Sequence, residues 1–362
     1  MGYFKNISLK NFRNFKACEL EFSNKCNVFF GKNGSGKTSI LEAMSLFAKG
    51  RGIKKDRLIN MINIGQDKFV IKSNFQQSDI LYKIKCETLE KNQRIKKVLT
   101  INNDKSKEAL NDLYISVPFL YFLTETERLF ISSPSGRRNF IDRFIFTYEN
   151  NYNKLINDYN KNLLERSKLL NEVSYDTNWL DRIEKNLSNF GLKIYLARNK
   201  QINIIIEYIN YFLKEYKLPY LINIKLIDNF YINEPDEAKF VENLKNNRKI
   251  DSLNGGSKIG PHKSDILFFL DNNQPVSQLS TGQQKTLILL LYLSQCKYLI
   301  NNYQKKPILL LDEVCSHLDD INRNILLSLV QSFNLQVFMT GTTKNLFSFL
   351  STNTNFCNIT DK

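Results

Sequence analysis

The chain has 362 residues, 42% of them apolar, with 51 Lys and Arg against 36 Asp and Glu for a formal charge of +15. That length allows two domains, or one domain carrying a large insertion, and the apolar share supports a sizeable core, which excludes disorder throughout. No run of 18 apolar residues occurs, so a helical membrane span is not expected, and six scattered cysteines with only two histidines speak for reduced thiols in a cytoplasmic protein rather than for zinc or disulfides. The start, Met1-Gly2-Tyr3-Phe4-Lys5, runs into polar residues instead of an apolar leader core. The positive surplus is uneven: residues 1–120 carry 22 basic and 11 acidic side chains, against 20 and 17 in residues 121–250 and 9 and 8 in residues 251–362. Such a bias favours a polyanionic partner; the alternative is the Asn-, Lys- and Ile-rich composition, a bias that AT-rich coding sequence can produce by itself.

The first 30 residues predict two strands, Asn6–Phe12 and Asn27–Phe30, around a polar turn. A helical pattern follows from Lys37 to Lys49, with Ile40, Leu41, Met44, Phe47 and Ala48 at helix spacing. Residues 69–71, 81–86 and 98–101 are strand-like and predict an antiparallel meander. From about residue 123 the pattern becomes helical; Trp179, Ile183, Leu187, Phe190, Ile194 and Ala197 begin a stripe that continues through Ile202–Phe212 to a break at Pro219, read as ordinary core packing. Strand and helix alternation returns after Gly260-Pro261, with strands at 266–270, 308–311 and 336–340 and helices at 283–299 and 322–333. The layout is an α/β domain in two sequence segments interrupted by a mainly α-helical insert, with boundaries predicted at 1–122, 123–251 and 252–362.

Gly31-Lys32-Asn33-Gly34-Ser35-Gly36-Lys37-Thr38 fits G-x-x-x-x-G-K-[ST] without mismatch, a coincidence on the order of one in a hundred for a chain this long. A buried strand before it and an amphipathic helix after it are the context this loop requires. Its glycines let backbone N–H groups converge on phosphate oxygens at a helix N-terminus. Lys37 is expected to reach the β- and γ-phosphates, and Thr38 to ligate Mg²⁺. Pro307–Glu313 is an apolar strand ending in two carboxylates: Asp312 is placed to hold Mg²⁺ and Glu313 to polarise an attacking water. Leu279-Ser280-Thr281-Gly282-Gln283-Gln284 opens a long apolar helix, with Ser280 and Gln283 at capping-box spacing.

Three motifs in this order resemble the ATP-binding-cassette superfamily, whose L-S-x-G-Q signature contacts the nucleotide of a second copy. Ser316-His317-Leu318-Asp319 looks like its D-loop; at the switch, where the family often has His, this chain has Thr340-Gly341-Thr342. No Q-loop glutamine can be assigned, Gln76 and Gln77 being only nearby. The long spacing from Lys37 to Ser280 resembles the SMC, RecN and RecF branch, as does Asn11-Phe12-Arg13-Asn14-Phe15, an element that in that branch carries an arginine toward the nucleotide. Ser132–Asp142 (S-S-P-S-G-R-R-N-F-I-D), Ile259–Asp265 (I-G-P-H-K-S-D) and Leu279–Lys285 are similar to RecF elements. Glu313-Val314-Cys315 departs from the second Asp more usual in RecF.

The resemblance implies an ABC-type (SMC/RecN/RecF-like) P-loop ATPase head that hydrolyses ATP weakly. ATP would be bound by Gly31–Thr38 and Arg13 of one subunit and by Ser280, Gly282 and Gln283 of another, so that ATP-dependent homodimerisation is the switch. It also implies action on DNA, duplex or at a single/double-strand junction, with RecO- and RecR-like partners, recombinase loading at replication gaps and a part in the SOS response. The exposed-looking basic run Lys49, Arg51, Lys54, Lys55 and Arg57 is the candidate DNA surface; a solvated loop is the bland alternative. An SMC/RecN-type structural ATPase needs far longer arms than residues 123–251 provide. A transporter subunit has a shorter insert, and a nuclease-linked relative needs an added acidic metal site.

Overall fold

The computed structural model describes residues 2–91, 94–172, 174–230, 236–315, 319–328, 331, 333–350 and 353–359. Residues 316–318 of the D-loop-like segment, and 329, 330 and 332 of the helix expected at 322–333, lie outside them. The chain divides into two compact units, residues 1–127 with 285–362, and residues 128–284.

The first unit begins with β1 (Gly2–Phe4), β2 (Asn6–Phe12), β3 (Phe15–Glu21) and β4 (Cys26–Phe30), followed by α1 (Lys37–Ser45). β5 (Val70–Gln77), β6 (Ile80–Lys91) and β7 (Arg94–Ile101) form the expected meander, and α2 (Lys107–Ser116) and β8 (Phe119–Phe122) close the segment. An antiparallel sheet has the order β3-β2-β5-β6-β7, with β1 on β5. The rest of the first unit supplies β11 (Ile308–Leu311), α9 (Asp320–Leu327), β12 (Val337–Gly341) and β13 (Asn355–Asn358), and the strands β13-β4-β12-β11-β8 make an all-parallel sheet. Its central strands are apolar on both faces, as parallel strands covered on both sides must be. Phe4, Phe12, Phe29, Leu41, Met44 and Phe338 belong to one core shared by the two sheets and α1. Gln336 pins the sheets together at a distance in sequence: its side-chain oxygen accepts the Phe4 N–H at 2.8 Å and its NH₂ donates to the Phe4 carbonyl at 2.7 Å.

The second unit contains α3 (Pro134–Phe146), α4 (Tyr152–Leu170), α5 (Thr177–Glu215), α6 (Glu237–Asn246) and α7 (Arg248–Leu253), with the antiparallel pair β9 (Ile222–Ile227) and β10 (Asp265–Leu270). α8 (Thr281–Tyr303) starts at the end of this unit and continues into the first.

Several sequence expectations change in detail. β3 was missed because Lys16 and Ala17 are both exposed between buried Phe15 and Cys18, which breaks the period of two. α1 ends at Ser45 instead of Lys49: i→i+3 bonds from Phe47 and Ala48 tighten the chain, and the Lys97 ammonium on β7 bonds the carbonyls of Leu46 and Gly50 at 3.0 and 2.7 Å. Burial lowers the pKa of that ammonium. Trp179, assigned to the core stripe, is 45% exposed in the first turn of α5, whereas polar Glu184, Ser188, Arg198 and Gln201 share the buried side with the aliphatic residues.

Candidate nucleotide site

The glycine-rich loop leaves the C-terminal end of β4 and enters α1 at Lys37, and β11 and β12 end beside it, since β4 pairs with β12 and β12 with β11. In an open parallel sheet this carboxyl edge is where ligands bind. Gly36 has φ 105°, and a Cβ there would lie 2.5 Å from the ring of Phe15 and 2.6 Å from Nδ2 of Asn14. Only glycine satisfies both the backbone and the close approach. Asn14 in turn donates to the carbonyl of Ser35 at 3.1 Å. The Asn11–Phe15 element and the loop are therefore one packed assembly.

Lys37 is buried, and its Nζ donates to the carbonyls of Gly31 and Lys32 at 2.8 and 3.1 Å while lying 3.8 Å from Oε1 of Glu313. Thr38 Oγ1 donates to Asp312 at 2.9 Å, across 274 residues of sequence. Thr340, fully buried at the end of β12, donates to the same Asp312 oxygen at 2.7 Å and accepts the backbone N–H of Glu313 at 2.8 Å. Glu313 holds a left-handed backbone at φ 52° and is partly exposed. Thus Lys37, Thr38, Asp312 and Glu313 converge, and Thr340, at the switch position, ties the two carboxylate positions together.

The donor set suits a nucleotide with its metal. Ser35 Oγ is buried with no hydrogen-bond partner within the loop whose amides face the helix N-terminus, and such a hydroxyl is satisfied by a phosphate oxygen. Thr38 and Asp312 offer adjacent hard oxygen ligands of the kind Mg²⁺ takes. Lys32, Asn33 and Gly34 lie in the loop's exposed turn.

Arg13 is engaged otherwise than by solvent. Its Nε and Nη2 make a bidentate pair with buried Glu42 of α1 at 2.7 and 2.6 Å, and Nη1 bonds Asp56 at 3.0 Å and the carbonyl of Asn60 at 2.8 Å. The bond to Glu42 raises the guanidinium's pKa; Asn60 and the Arg57 N–H hold the Asp56 carboxyl below the usual range. Lys49, Arg51, Lys54, Lys55 and Arg57 are exposed along the loop that Asp56 anchors.

Ser280, Gly282 and Gln283 belong to the second unit and are exposed. Ser280 Oγ accepts the N–H of Gln283 at 3.3 Å, and Gln283 Oε1 accepts the N–H of Ser280 at 3.1 Å, a reciprocal capping box that starts α8 two residues before the expected point. A Cβ at Gly282 would meet no atom within 4 Å, so this helix start is open to an approaching group.

Two other motifs from the sequence meet inside the second unit. Arg137 forms a bidentate pair with Asp265 at 2.9 and 2.7 Å, and Arg138 donates to the carbonyl of Ser264. Asp142 is held by Tyr152 and by both arms of Arg198, which also reaches the carbonyl of Pro261 at 2.5 Å. His262 lies between Tyr159 (2.7 Å) and the carbonyl of Ser257 (2.9 Å), and burial pushes its pKa down to about 4. The 132–142 and 259–265 segments are thus one structural clamp centred on Arg198. Arg198 carries no signal in the sequence, where it is a lone arginine on an amphipathic helix.

The RecF/RecN/SMC N-terminal domain model matches residues 3–361. The chain is 32% identical over 343 residues to the DNA replication and repair protein RecF of Rickettsia bellii, covering 94% of each, and 33% identical over 347 residues to that of Rickettsia typhi, again covering 94% of each. Among solved structures it is similar to the recombination mediator protein RecF-ATPrS in the RecFOR pathway, with a TM-score of 0.84, 27% identity, and 97% of this chain and 94% of that one covered. The Smc head domain of Pyrococcus furiosus bound to a ScpA domain, at TM-score 0.56 and 15% identity over 96% and 92% of the chains, shares the fold.

Proposed function

Because the chain belongs to the RecF family of DNA replication and repair proteins, we propose that it is an ATP-switched DNA-binding protein of recombinational repair, with weak ATPase activity. The observation that carries this reading is the convergence of Lys37, Thr38, Asp312, Glu313 and Thr340 at the carboxyl edge of the parallel sheet. Residues 123–251 are read as an insertion in an ATPase head made of residues 1–122 and 252–362.

In this reading the loop amides and Lys37 hold the β- and γ-phosphates. Thr38 and Asp312 would hold Mg²⁺, which would draw charge from the phosphate oxygens. Glu313, whose carboxylate lies 3.8 Å from the Lys37 ammonium, accepts a proton from the attacking water. Arg13, poised on Glu42, is a second cation that nucleotide binding can recruit by exchanging one carboxylate for a phosphate.

The open start of α8 supports a sandwich in which Ser280, Gly282 and Gln283 of one subunit cap ATP on another. ATP then joins two copies, and hydrolysis releases them; by linkage, DNA that prefers the dimer tightens ATP binding. The basic loop at Arg51, Lys54, Lys55 and Arg57 is assigned to the DNA backbone. Partners of the RecO and RecR type, recombinase loading at gaps and a place in the SOS response extend the same reading, supported by the relative described as acting in the RecFOR pathway.

Sedimentation with and without ATP and gapped DNA, at two salt concentrations, tests it. The wild type should dimerise with ATP and bind DNA more weakly as salt rises, and Lys37→Ala should stay monomeric. A Lys37→Ala variant that still dimerises on ATP addition would overturn the sandwich.

A further inference from the structure

The turn at residues 63–66 is built to hold an isoleucine out in water. Asn63-Ile64-Gly65-Gln66 closes with a bond from the Gln66 N–H to the Asn63 carbonyl at 3.1 Å, and Gly65 has φ 77°, the third-position conformation of a type II turn. Met61 and Ile62 just before it are buried, whereas Ile64 is 97% exposed and Ile59 56%. A single exposed aliphatic residue on a loose loop would need no explanation. This one sits on a rigid stem. The Asn63 N–H bonds the Asn11 carbonyl (2.9 Å), the Arg13 N–H bonds the Met61 carbonyl (2.8 Å), Asn63 Nδ2 donates to the Arg13 carbonyl (2.7 Å), and Asn11 Nδ2 donates to Gln66 Oε1 (3.0 Å).

A second observation adjoins the stem. A groove of about 320 Å³ on the outer face of the antiparallel sheet is lined by Lys10, Asn11, Lys68, Lys72 and Lys85, with Glu87 as its one carboxylate. Lys72 and Lys85 are directly opposed across β5 and β6. Lys85 pairs with Glu87 at 2.7 Å, so Lys10, Lys68 and Lys72 are the cations that the groove offers to an anion. Asn11 is common to the groove and to the stem. A lysine-lined groove is therefore continuous with a fixed apolar tip.

We propose that this groove and turn form a duplex-DNA site in which the lysines take the phosphate backbone and Ile64 wedges into a base step. Phosphate neutralisation by lysines and insertion of an apolar side chain between bases are the two halves of this mode of recognition. The charge favours nucleic acid over a neutral partner, and the pre-set stem removes the ordering cost that a flexible tip would carry. Flexible pyrimidine–purine steps, which unstack most readily, are the favoured insertion points. The inference rests on the DNA-binding reading above and adds to it a site, a residue and a class of step.

The test uses the full chain with ATP and a duplex carrying 2-aminopurine beside a central TA step. Wild-type binding should raise the fluorescence as the base unstacks. Ile64→Ala should abolish that rise and weaken duplex binding about tenfold, the scale of losing one buried isoleucine side chain. A Lys68→Gln, Lys72→Gln double variant should keep the fluorescence rise at saturation but lower the slope of log affinity against log salt by about 1.8, for two phosphates. If wild type binds duplex and Ile64→Ala behaves like it in both readouts, the wedge is refuted. An unchanged salt slope in the lysine variant refutes the groove. A loss of ATP-dependent self-association in Ile64→Ala, with DNA binding intact, would make the tip a subunit contact and also overturn the proposal. Failure of the wild type itself to bind duplex would instead sink the functional reading on which all this stands.

Discussion

Thr340→Val removes one hydroxyl and leaves the volume of a fully buried side chain nearly unchanged, which isolates the role of the hub between β11 and β12. The hydroxyl donates to Asp312 at 2.7 Å and accepts from the Glu313 N–H at 2.8 Å. A hydrogen bond to a charged group contributes about 1.5–3 kcal/mol, and the Glu313 N–H left without its acceptor adds roughly 1 kcal/mol more. Folding stability should fall by about that sum. If the bond to Asp312 also fixes the carboxylate during catalysis, kcat for ATP should fall about ten- to hundredfold, at one decade per 1.4 kcal/mol. KM for ATP should hardly move, because Lys37 and the loop amides are untouched. Thr340→Ser should restore most of kcat. Steady-state phosphate release at saturating Mg²⁺, together with thermal unfolding, reads both quantities. A Val variant within twofold of wild type in kcat, or one that raises KM alone, would show that Thr340 does not position the pair.

Other consequences are as direct. Arg198→Met leaves Asp142 buried without its bidentate partner and should cost about 3–5 kcal/mol, seen as a melting temperature lowered by roughly 10 °C or more. His262 titrates near 4 in the fold against about 6.5 when unfolded, so the unfolded chain binds the extra proton between those values and stability must fall as pH drops from 6.5 to 4, by roughly 3 kcal/mol in all. Denaturant titrations across that window should show the slope, and His262→Gln should flatten it. Gly36→Ala should abolish nucleotide binding by calorimetry, since its Cβ meets the Phe15 ring and its φ of 105° is closed to alanine. Ser280→Ala removes half of the capping box, destabilising the first turn of α8 by about 1 kcal/mol in hydrogen exchange, and should impair ATP-dependent dimerisation while monomeric ATP binding persists.

Much of the site could be read along the chain. The Gly31–Thr38 loop, the apolar strand ending at Asp312-Glu313 and the Ser280–Gln283 spacing are local patterns, and the structure presents each as a strand end, a helix start or a cap. Arg13 shows the limit of such reading. Its position was legible, yet its partners Glu42 and Asp56 come from a helix and a loop 29 and 43 residues away. Arg198 and Thr340 were illegible for the same reason: a charged residue on a helix, or a hydroxyl at a strand end, acquires its role only from the carboxylate that packing brings to it.

By itself, then, the sequence determined what backbone geometry and near neighbours dictate: the phosphate loop, the meander, the long helices and their caps, all set by side chains within a few residues of one another. The tertiary structure alone decided which groups meet, joining Thr38 to Asp312 across 274 residues and Gln336 to Phe4 across 332. Those choices follow from burial. A polar group removed from water must find a partner wherever the packed chain supplies one, and no local pattern records where that will be.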